Sequence, residues 1–263
     1  MKNLIALILN ILLLGSLAAA SVPELSEADA QRIGKLIWQN ECAGTVIGLT
    51  MWNKGEEFPS MGIGHFIWYP TGTTGPYQES FPDMIRYLRA NGAEKYIPKW
   101  LDENAGCPWP TRDSFQKDLK GPELTSLRDL LKSTVALQAR FAAQRFRNSL
   151  PNLLEHVPAE QRPDIEAKFN LIASHPQGLY ALMDYVNFKG EGTNPKERYG
   201  DVGWGMLQVL QNMQPASTSE QAVNQFADAA IRVLSRRIEV SPPHRNEGRW
   251  RAGWTNRCNT YRP

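Results

Sequence analysis

The glutamate at position 41 has a sequence context that suits a proton donor. Glu41 continues the stripe of Ile33 and Ile37 along one face of a predicted helix, and Gly44 ends that helix. The C-terminal end of a helix is the negative end of its dipole, and the stripe faces apolar neighbours. Both effects favour the protonated carboxyl that a general acid needs near neutral pH. The alternative is a side chain that extends into solvent past the helix end.

The stretch SMGIGHFIWY, residues 60–69, is the second segment whose composition suggests a site. It lacks the third glycine and the following helix of a dinucleotide-binding fingerprint. Ser60 and His65 have the residue types of a nucleophile and its base, but no Gly-x-Ser-x-Gly turn surrounds the serine. The four histidines are scattered without a metal-binding spacing. We therefore predict no metal, no cofactor and a structural, hydrogen-bonding role for His65.

The predicted elements around these segments are one helix and one hairpin. Residues 26–41 begin with a capping pattern at Ser26 and Asp29 and continue with helical periodicity. Residues 46–69 change to a β-type pattern. An Asn-Lys-Gly turn at 53–55 divides this pattern into a hairpin and leaves room for a third short strand.

The rest of the chain has mainly helical periodicity. We predict helices over residues 81–92, 125–150, 163–174, 177–187, 202–213 and 218–238, and a short one near the C-terminus. Residues 91–114 contain three prolines and no clear period, which indicates a loop. The sequence therefore predicts a predominantly helical α+β fold in a single domain, residues 21–263, with a hairpin lobe over 45–70 and a helical body over 80–263.

This order of elements resembles the lysozyme superfamily, most closely the phage-type lysozymes, over residues 26–70. In those enzymes a glutamate ends the first helix, an aspartate lies in the hairpin, and a threonine precedes a Gly-x-Gly-His segment. By that resemblance Glu41 is the catalytic glutamate, and Ser60 stands at the threonine position with its hydroxyl kept. The hairpin of this chain has no aspartate; its carboxylates are Glu56 and Glu57. Glu57 is our predicted second catalytic group.

The resemblance implies an exported, lysozyme-like glycosidase that cleaves β-1,4 bonds of peptidoglycan, as a muramidase or a lytic transglycosylase. Glu41 would protonate the glycosidic oxygen, while a second group would orient water or stabilise the oxocarbenium-like transition state. Without a second carboxylate, Glu41 would act alone, as in lytic transglycosylases, where the sugar's own hydroxyl attacks. Two alternatives remain open: a non-catalytic scaffold that binds wall glycan or a partner protein, and a chitosanase- or chitinase-like hydrolase.

Aromatic and polar side chains near the hairpin and in residues 184–208 are candidates for binding the glycan. Loops rich in glycine, aromatics and carboxylates offer stacking faces and hydrogen bonds to sugar rings. The carboxylate in the second segment is also a candidate second catalytic group, with helix capping as its structural alternative. The predicted substrate-binding residues are Trp52, His65, Tyr69, Glu191, Tyr199, Trp204 and Gln208.

The N-terminal residues predict export. One lysine, an apolar run and small residues at positions 18 and 20 are typical of a signal peptide, residues 1–20, cleaved before Ser21. We expect a periplasmic or secreted protein without stable membrane insertion. The net charge of +2 gives no reason to expect nucleic-acid binding. The eight arginines after residue 231 would either meet an anionic polymer or pair with acids in the last helix; the oligomeric state is not predicted.

Three cysteines in an exported chain predict one disulfide and one free thiol. A bond between Cys107 and Cys258 would tie the C-terminal tail to the body of the protein. The two pairings that involve Cys42 remain open.

Overall fold

The computed structural model describes residues 25–75, 77–148, 150–195 and 197–263, and the predicted signal peptide lies outside them. The fold is α+β and predominantly helical, as predicted. In the described part of the chain, no helix is both long and apolar enough to cross a membrane.

Helix α1, Glu27–Cys42, carries the first candidate residue at its C-terminal end. The hydroxyl oxygen of Ser26 accepts a hydrogen bond from the backbone N–H of Asp29 at 3.1 Å, which confirms the predicted cap. Ala43 and Gly44 take left-handed backbone angles, with φ of 51° and 65°, and end the helix. Glu41 therefore lies in the last turn of α1.

The hairpin region forms a short three-stranded antiparallel sheet in the order β1-β2-β3. Strands β1 (Thr50–Met51) and β2 (Ser60–Met61) pair with Thr50 opposite Met61. Strand β3 (Phe66–Ile67) pairs with β2 so that Ser60 lies opposite Ile67. The third strand follows the GIGH turn, so the sheet positions residues 62–65 as a loop between β2 and β3.

The remaining elements form a helical body around one core. Its helices are α2 Phe81–Ala90, α3 Arg112–Lys117, α4 Pro122–Ser133, α5 Val135–Asn148, α6 Leu150–Glu155, α7 Arg162–Ala173, α8 Pro176–Lys189, α9 Met206–Gln211, α10 Ser219–Val240 and α11 Arg251–Asn259. A second small hairpin pairs β4, Arg198–Tyr199, with β5, Val202–Gly203. Helix α1 packs mainly on α5 and also contacts α8. This packing brings residues from distant parts of the sequence to the end of α1.

Several predicted boundaries differ from the structure. The helix predicted over 125–150 is two helices, because the chain leaves helical geometry at Thr134 between α4 and α5. The second predicted limit, residue 150, is the start of α6, and Pro151 lies in the first turn of that helix, a position that proline tolerates. The helix predicted over 202–213 begins only at Met206, because residues 198–203 form the second hairpin.

The predicted disulfide is wrong, because Cys42, Cys107 and Cys258 are all free and buried. They lie in three different places: the last turn of α1, the loop after α2, and α11. Burial raises the pKa of each thiol to about 12, so each is strongly protonated at neutral pH.

We expect thiol titration with a disulfide reagent to detect no reactive cysteine in the folded protein and three after denaturation. Buried, protonated thiols react slowly, and unfolding exposes them. The measurement is an absorbance titration with and without guanidinium chloride, without a reductant. One thiol in the denatured protein instead of three would reveal a disulfide and contradict the structure.

Candidate functional site

The GIGH loop lies against the end of helix α1. The Nδ1 atom of His65 is 3.8 Å from Oε2 of Glu41. The other ring nitrogen of His65 is 3.9 Å from the sulfur of Cys42, which also lies 3.8 Å from the carbonyl oxygen of Gly62. The two segments chosen from the sequence therefore come together in space.

The loop has a backbone conformation that depends on glycine. Gly62 has a φ of 73°, and its N–H donates to the carbonyl oxygen of Leu49 at 2.8 Å. The side-chain oxygen of Gln138, a fully buried residue of α5, accepts from the N–H of Ile63 at 3.0 Å. A Cβ atom on Gly62 would lie 2.4 Å from that oxygen, so only glycine fits this position.

His65 also has a left-handed backbone, with a φ of 48°. Such angles are uncommon for a residue other than glycine, and they persist where the surrounding structure enforces them. The enforced backbone holds the imidazole ring between Glu41 and Cys42. The imidazole ring therefore connects the loop between β2 and β3 with the end of α1.

An arginine from the last helix contacts the same carboxylate. The Nη2 atom of Arg257, on α11, donates to Oε1 of Glu41 at 2.8 Å. Through Nε and Nη2 it also donates to both carboxylate oxygens of Asp184, each at 2.8 Å. The arginine-rich tail is visible in the sequence, but no sequence pattern indicates a partner for Arg257. Both carboxylates share a single guanidinium group.

Asp184, on α8, is the fully buried member of this group, with 1% of its surface exposed. Besides the two bonds from Arg257, it accepts from the hydroxyl of Tyr261 at 2.7 Å and from the amide of Asn40 at 2.9 Å. Four hydrogen bonds therefore satisfy the Asp184 carboxylate in the interior.

Glu41 is the more accessible carboxyl group of this cluster. It has one strong hydrogen-bond donor where Asp184 has four, and its side chain is 17% exposed where that of Asp184 is 1% exposed. Of the two carboxyl groups, Glu41 is therefore the one that a ligand can reach.

The predicted environment of Glu41 needs one correction. The sequence indicated a carboxyl among apolar neighbours, which favours the neutral form. The structure instead places a charged neighbour there, since Nη2 of Arg257 lies 2.8 Å from Oε1 of Glu41.

The predicted second group of the hairpin does not join this cluster. Glu57 is exposed, and Ser60 is 7% exposed on β2. The hydrogen bonds and ion pairs of the described residues connect neither side chain to Glu41. The carboxylate paired with the same guanidinium as Glu41 is Asp184, which comes from α8 and not from the hairpin.

Two aromatic residues that we expected to bind substrate are packed in the hairpin lobe instead. Trp52 is 4% exposed, donates from its indole N–H to the carbonyl oxygen of Glu56 and packs edge-on against Phe115. Tyr69 is 5% exposed, and its hydroxyl accepts from the backbone N–H of Tyr77. Both rings are packed in this lobe, and a contact of either ring with a glycan stays a prediction.

Beyond the end of α8, the described residues between Glu191 and Gln208 form turns, the β4–β5 hairpin and the start of α9. The side chain of Gln208 accepts from the N–H of Gly205 at 2.9 Å and donates to the carbonyl oxygen of Gly192 at 3.0 Å. A Cβ atom on Gly205 would lie 2.2 Å from the nitrogen of Gly192, so the backbone at Gly205 packs directly against the backbone at Gly192. Burial raises the pKa of the Glu191 carboxyl, and His156 opposes that shift.

Tyr199 and Trp204 belong to a charged cluster of their own. The hydroxyl of Tyr199 donates to Glu247 at 2.7 Å, and Glu247 accepts two bonds from Arg237, each at 2.8 Å. Trp204 is 8% exposed and lies 4.0 Å under the guanidinium of Arg237. These contacts give both rings a structural partner.

Cations and aromatic rings alternate between the two clusters. Lys189 lies over the rings of Phe188 and Trp254, at 4.0 and 3.7 Å, while Arg257 lies over Phe188 at 4.3 Å. Arg237 lies 5.2 Å from Trp254. Burial and the charge of Arg237 lower the pKa of Lys189 from its ordinary value of 10.5 to about 7. These cation–ring contacts run from Arg257, which binds Glu41, to Arg237, which binds Glu247 beside Tyr199.

We expect Lys189→Met to stabilise the protein below pH 7 by about 1–2 kcal/mol, allowing for residual solvent exposure. The folded protein holds the lysine at a pKa of about 7, below its unfolded value. Between these two values the unfolded chain binds more protons, so parental stability rises from about pH 7 toward pH 10.5. The free energy of unfolding of the variant should not show this rise with pH. Urea unfolding of both proteins from pH 6 to 10 measures the two free energies.

Lys95→Met is the matched control, because Lys95 lies over the ring of Tyr96 but is exposed. That variant should keep the parental dependence on pH. Parallel stability curves for the parent and Lys189→Met would contradict the lowered pKa.

The described side chains contain no group of three or more His, Cys, Asp or Glu residues arranged to hold a metal ion. The candidate site is a cluster of carboxylate, imidazole and guanidinium groups built from α1, the GIGH loop, α8 and α11.

Compared with known proteins, the chain matches no family model, no curated protein and no solved structure.

Proposed function

We propose that this protein is a glycosidase that cleaves β-1,4 bonds of peptidoglycan, with Glu41 as the general acid. The observation that carries the proposal is the contact of Glu41 with His65 of the GIGH loop on one side and with Arg257 on the other. The helix-end glutamate and the glycine-rich loop are the two parts on which the resemblance to phage-type lysozymes rests. Their proximity supports that resemblance.

The partial exposure of Glu41, 17% of its side chain, suits a carboxyl group that must reach a substrate. In the proposed reaction Glu41 gives its proton to the glycosidic oxygen as the bond to the leaving sugar breaks. The carboxylate that forms is stabilised by the guanidinium of Arg257, which lies 2.8 Å away. Asp184 holds Arg257 in place through two hydrogen bonds.

The hairpin favours a mechanism with a single carboxylate. Hydrolysis with two carboxylates requires a second group facing the sugar from across the cleft. Glu57 is exposed and has no contact to Glu41 among the described residues, and Asp184 is buried behind Arg257. In the proposed reaction Glu41 acts first as acid and then as base, and a hydroxyl of the substrate attacks. We therefore favour lytic transglycosylation over hydrolysis.

Incubation of the protein with purified peptidoglycan, chitin and chitosan tests the substrate class. We expect soluble fragments from peptidoglycan and none from the other two polymers. Fragments from chitin or chitosan alone would move the assignment to a chitinase or chitosanase. Tight binding to peptidoglycan without any fragment would support the non-catalytic alternative, which the missing hairpin aspartate favours.

A further inference from the structure

A cavity of about 520 Å³ lies between the β4–β5 hairpin and helices α9 and α10. Its lining includes none of the residues of the Glu41 cluster. We propose that this cavity binds a saccharide that carries an anionic group, either a carboxylate or a phosphate. The proposal concerns binding at a second place on the protein and does not depend on cleavage by Glu41.

Three arginines supply the positive side of the cavity. Arg198 comes from β4, and Arg232 and Arg236 come from α10. The two helical arginines are four residues apart and so lie on one face, where like charges repel each other. The cavity therefore concentrates positive charge that a bound anion would neutralise.

Each of these arginines retains hydrogen-bond donors for a ligand. A guanidinium group has five N–H donors. Arg232 uses one on the carbonyl oxygen of Asn212 at 2.9 Å, and Arg236 pairs with the exposed Glu239 at 3.1 Å. Arg198 is exposed and makes no side-chain hydrogen bond or ion pair within the described segments. Planar guanidinium groups suit the paired oxygens of carboxylate and phosphate.

The rest of the lining favours a sugar over a bare anion. The carboxylate of Asp201 lies in the same cavity and would repel an inorganic ion, but it accepts hydrogen bonds from hydroxyl groups. The amide of Gln211 donates to Gln161 at 3.2 Å, which leaves its oxygen as a second acceptor. Val202 is half-buried and adds apolar surface on which the C–H face of a sugar ring can pack. The mixed lining matches a ligand that has both an anionic group and hydroxyl donors.

Isothermal titration at low salt with four probes tests the proposal: N-acetylmuramic acid, glucose 6-phosphate, N-acetylglucosamine and inorganic phosphate. We expect saturable binding of at least one of the two acidic sugars, with a dissociation constant of roughly millimolar or tighter. The comparison between them distinguishes carboxylate from phosphate. The neutral sugar and inorganic phosphate should bind at least about tenfold more weakly.

The double variant Arg198→Gln/Arg232→Gln should weaken binding of the acidic sugar by at least about tenfold, since it removes charged hydrogen-bond donors. Arg249→Gln is the matched control, because Arg249 is exposed and lies outside the cavity. Thermal unfolding of each variant checks that the fold is kept.

Absence of saturable binding by both acidic sugars would overturn the proposal. So would unchanged affinity in a correctly folded double variant, or inorganic phosphate binding as tightly as the acidic sugars. Weaker binding of the acidic sugar by the double variant, with parental affinity in the control Arg249→Gln, would support the proposal. The titration is done on the full chain carrying Glu41→Gln, so failure of the proposed cleavage leaves this result unaffected.

Discussion

Glu41→Gln is expected to reduce the release of soluble fragments from peptidoglycan by about 10²- to 10⁴-fold, the usual contribution of a general acid. The amide keeps the size of the side chain but has no acidic proton to transfer. Arg257 keeps its two hydrogen bonds to Asp184, so the variant should fold normally. The rate of clearing of a peptidoglycan suspension measures the loss, and a pull-down on the same polymer should show unchanged binding.

The control is Glu27→Gln, which makes the same chemical change at the other end of α1. The side chain of Glu27 is 65% exposed and pairs with Arg140 at 3.1 Å. This variant should clear the suspension at the parental rate. Equal clearing by the parent and Glu41→Gln would show that Glu41 is not the acid.

A third variant, Glu57→Gln, separates the two proposed mechanisms. If Glu41 is the one catalytic carboxylate, Glu57→Gln should leave the rate of fragment release within about threefold of the parental rate. This change is much smaller than the factor of about 10²–10⁴ expected for a general acid. A loss as large as that of Glu41→Gln would instead assign Glu57 the second catalytic role.

Asp184→Asn is expected to lower the free energy of unfolding by about 3–5 kcal/mol, because it breaks a buried ion pair by removing one partner. The carboxylate is 1% exposed and accepts hydrogen bonds from Arg257, Tyr261 and Asn40. The asparagine amide has one acceptor oxygen and no charge, so Arg257 and Tyr261 would lose partners in the interior. Chemical unfolding followed by circular dichroism measures the difference.

The matched control for this change is Asp228→Asn. Asp228 pairs with Arg262 at 2.6 Å, but its side chain is 42% exposed. Exposed pairs contribute about 0–1 kcal/mol, so the control should change stability little. A similar loss in both variants would mean that burial of Asp184 is not what makes it important.

Much of the hairpin lobe could be predicted from the sequence, because its signals are local. The Ser26 cap, the stripe of Ile33 and Ile37 and the end at Gly44 each involve residues within one or two turns of helix. Turn residues likewise predict a hairpin after α1. Local signals therefore located Glu41 and the GIGH loop, whereas the contact between His65 and α1 depends on packing.

The other half of the site could not be predicted, because it depends on tertiary packing. Arg257 follows Glu41 by 216 residues, and no local pattern connects them. Asp184 begins the segment that was singled out for its glycines and aromatics, yet nothing local distinguishes a buried, ion-paired aspartate from a solvated one. The aromatic residue types of Trp52 and Tyr69 suit both a sugar-binding groove and a core, and burial decides between them.

The most direct test of Glu41 as the general acid is mass spectrometry of the material released from purified peptidoglycan by the parent and by Glu41→Gln under identical conditions. We expect fragments with anhydro-sugar ends from the parent and at least about 10²-fold less of them from the variant. Fragments with ordinary reducing ends would keep Glu41 as the acid but replace transglycosylation by hydrolysis. No fragments from the parent, or equal amounts from both proteins, would contradict the proposed role of Glu41.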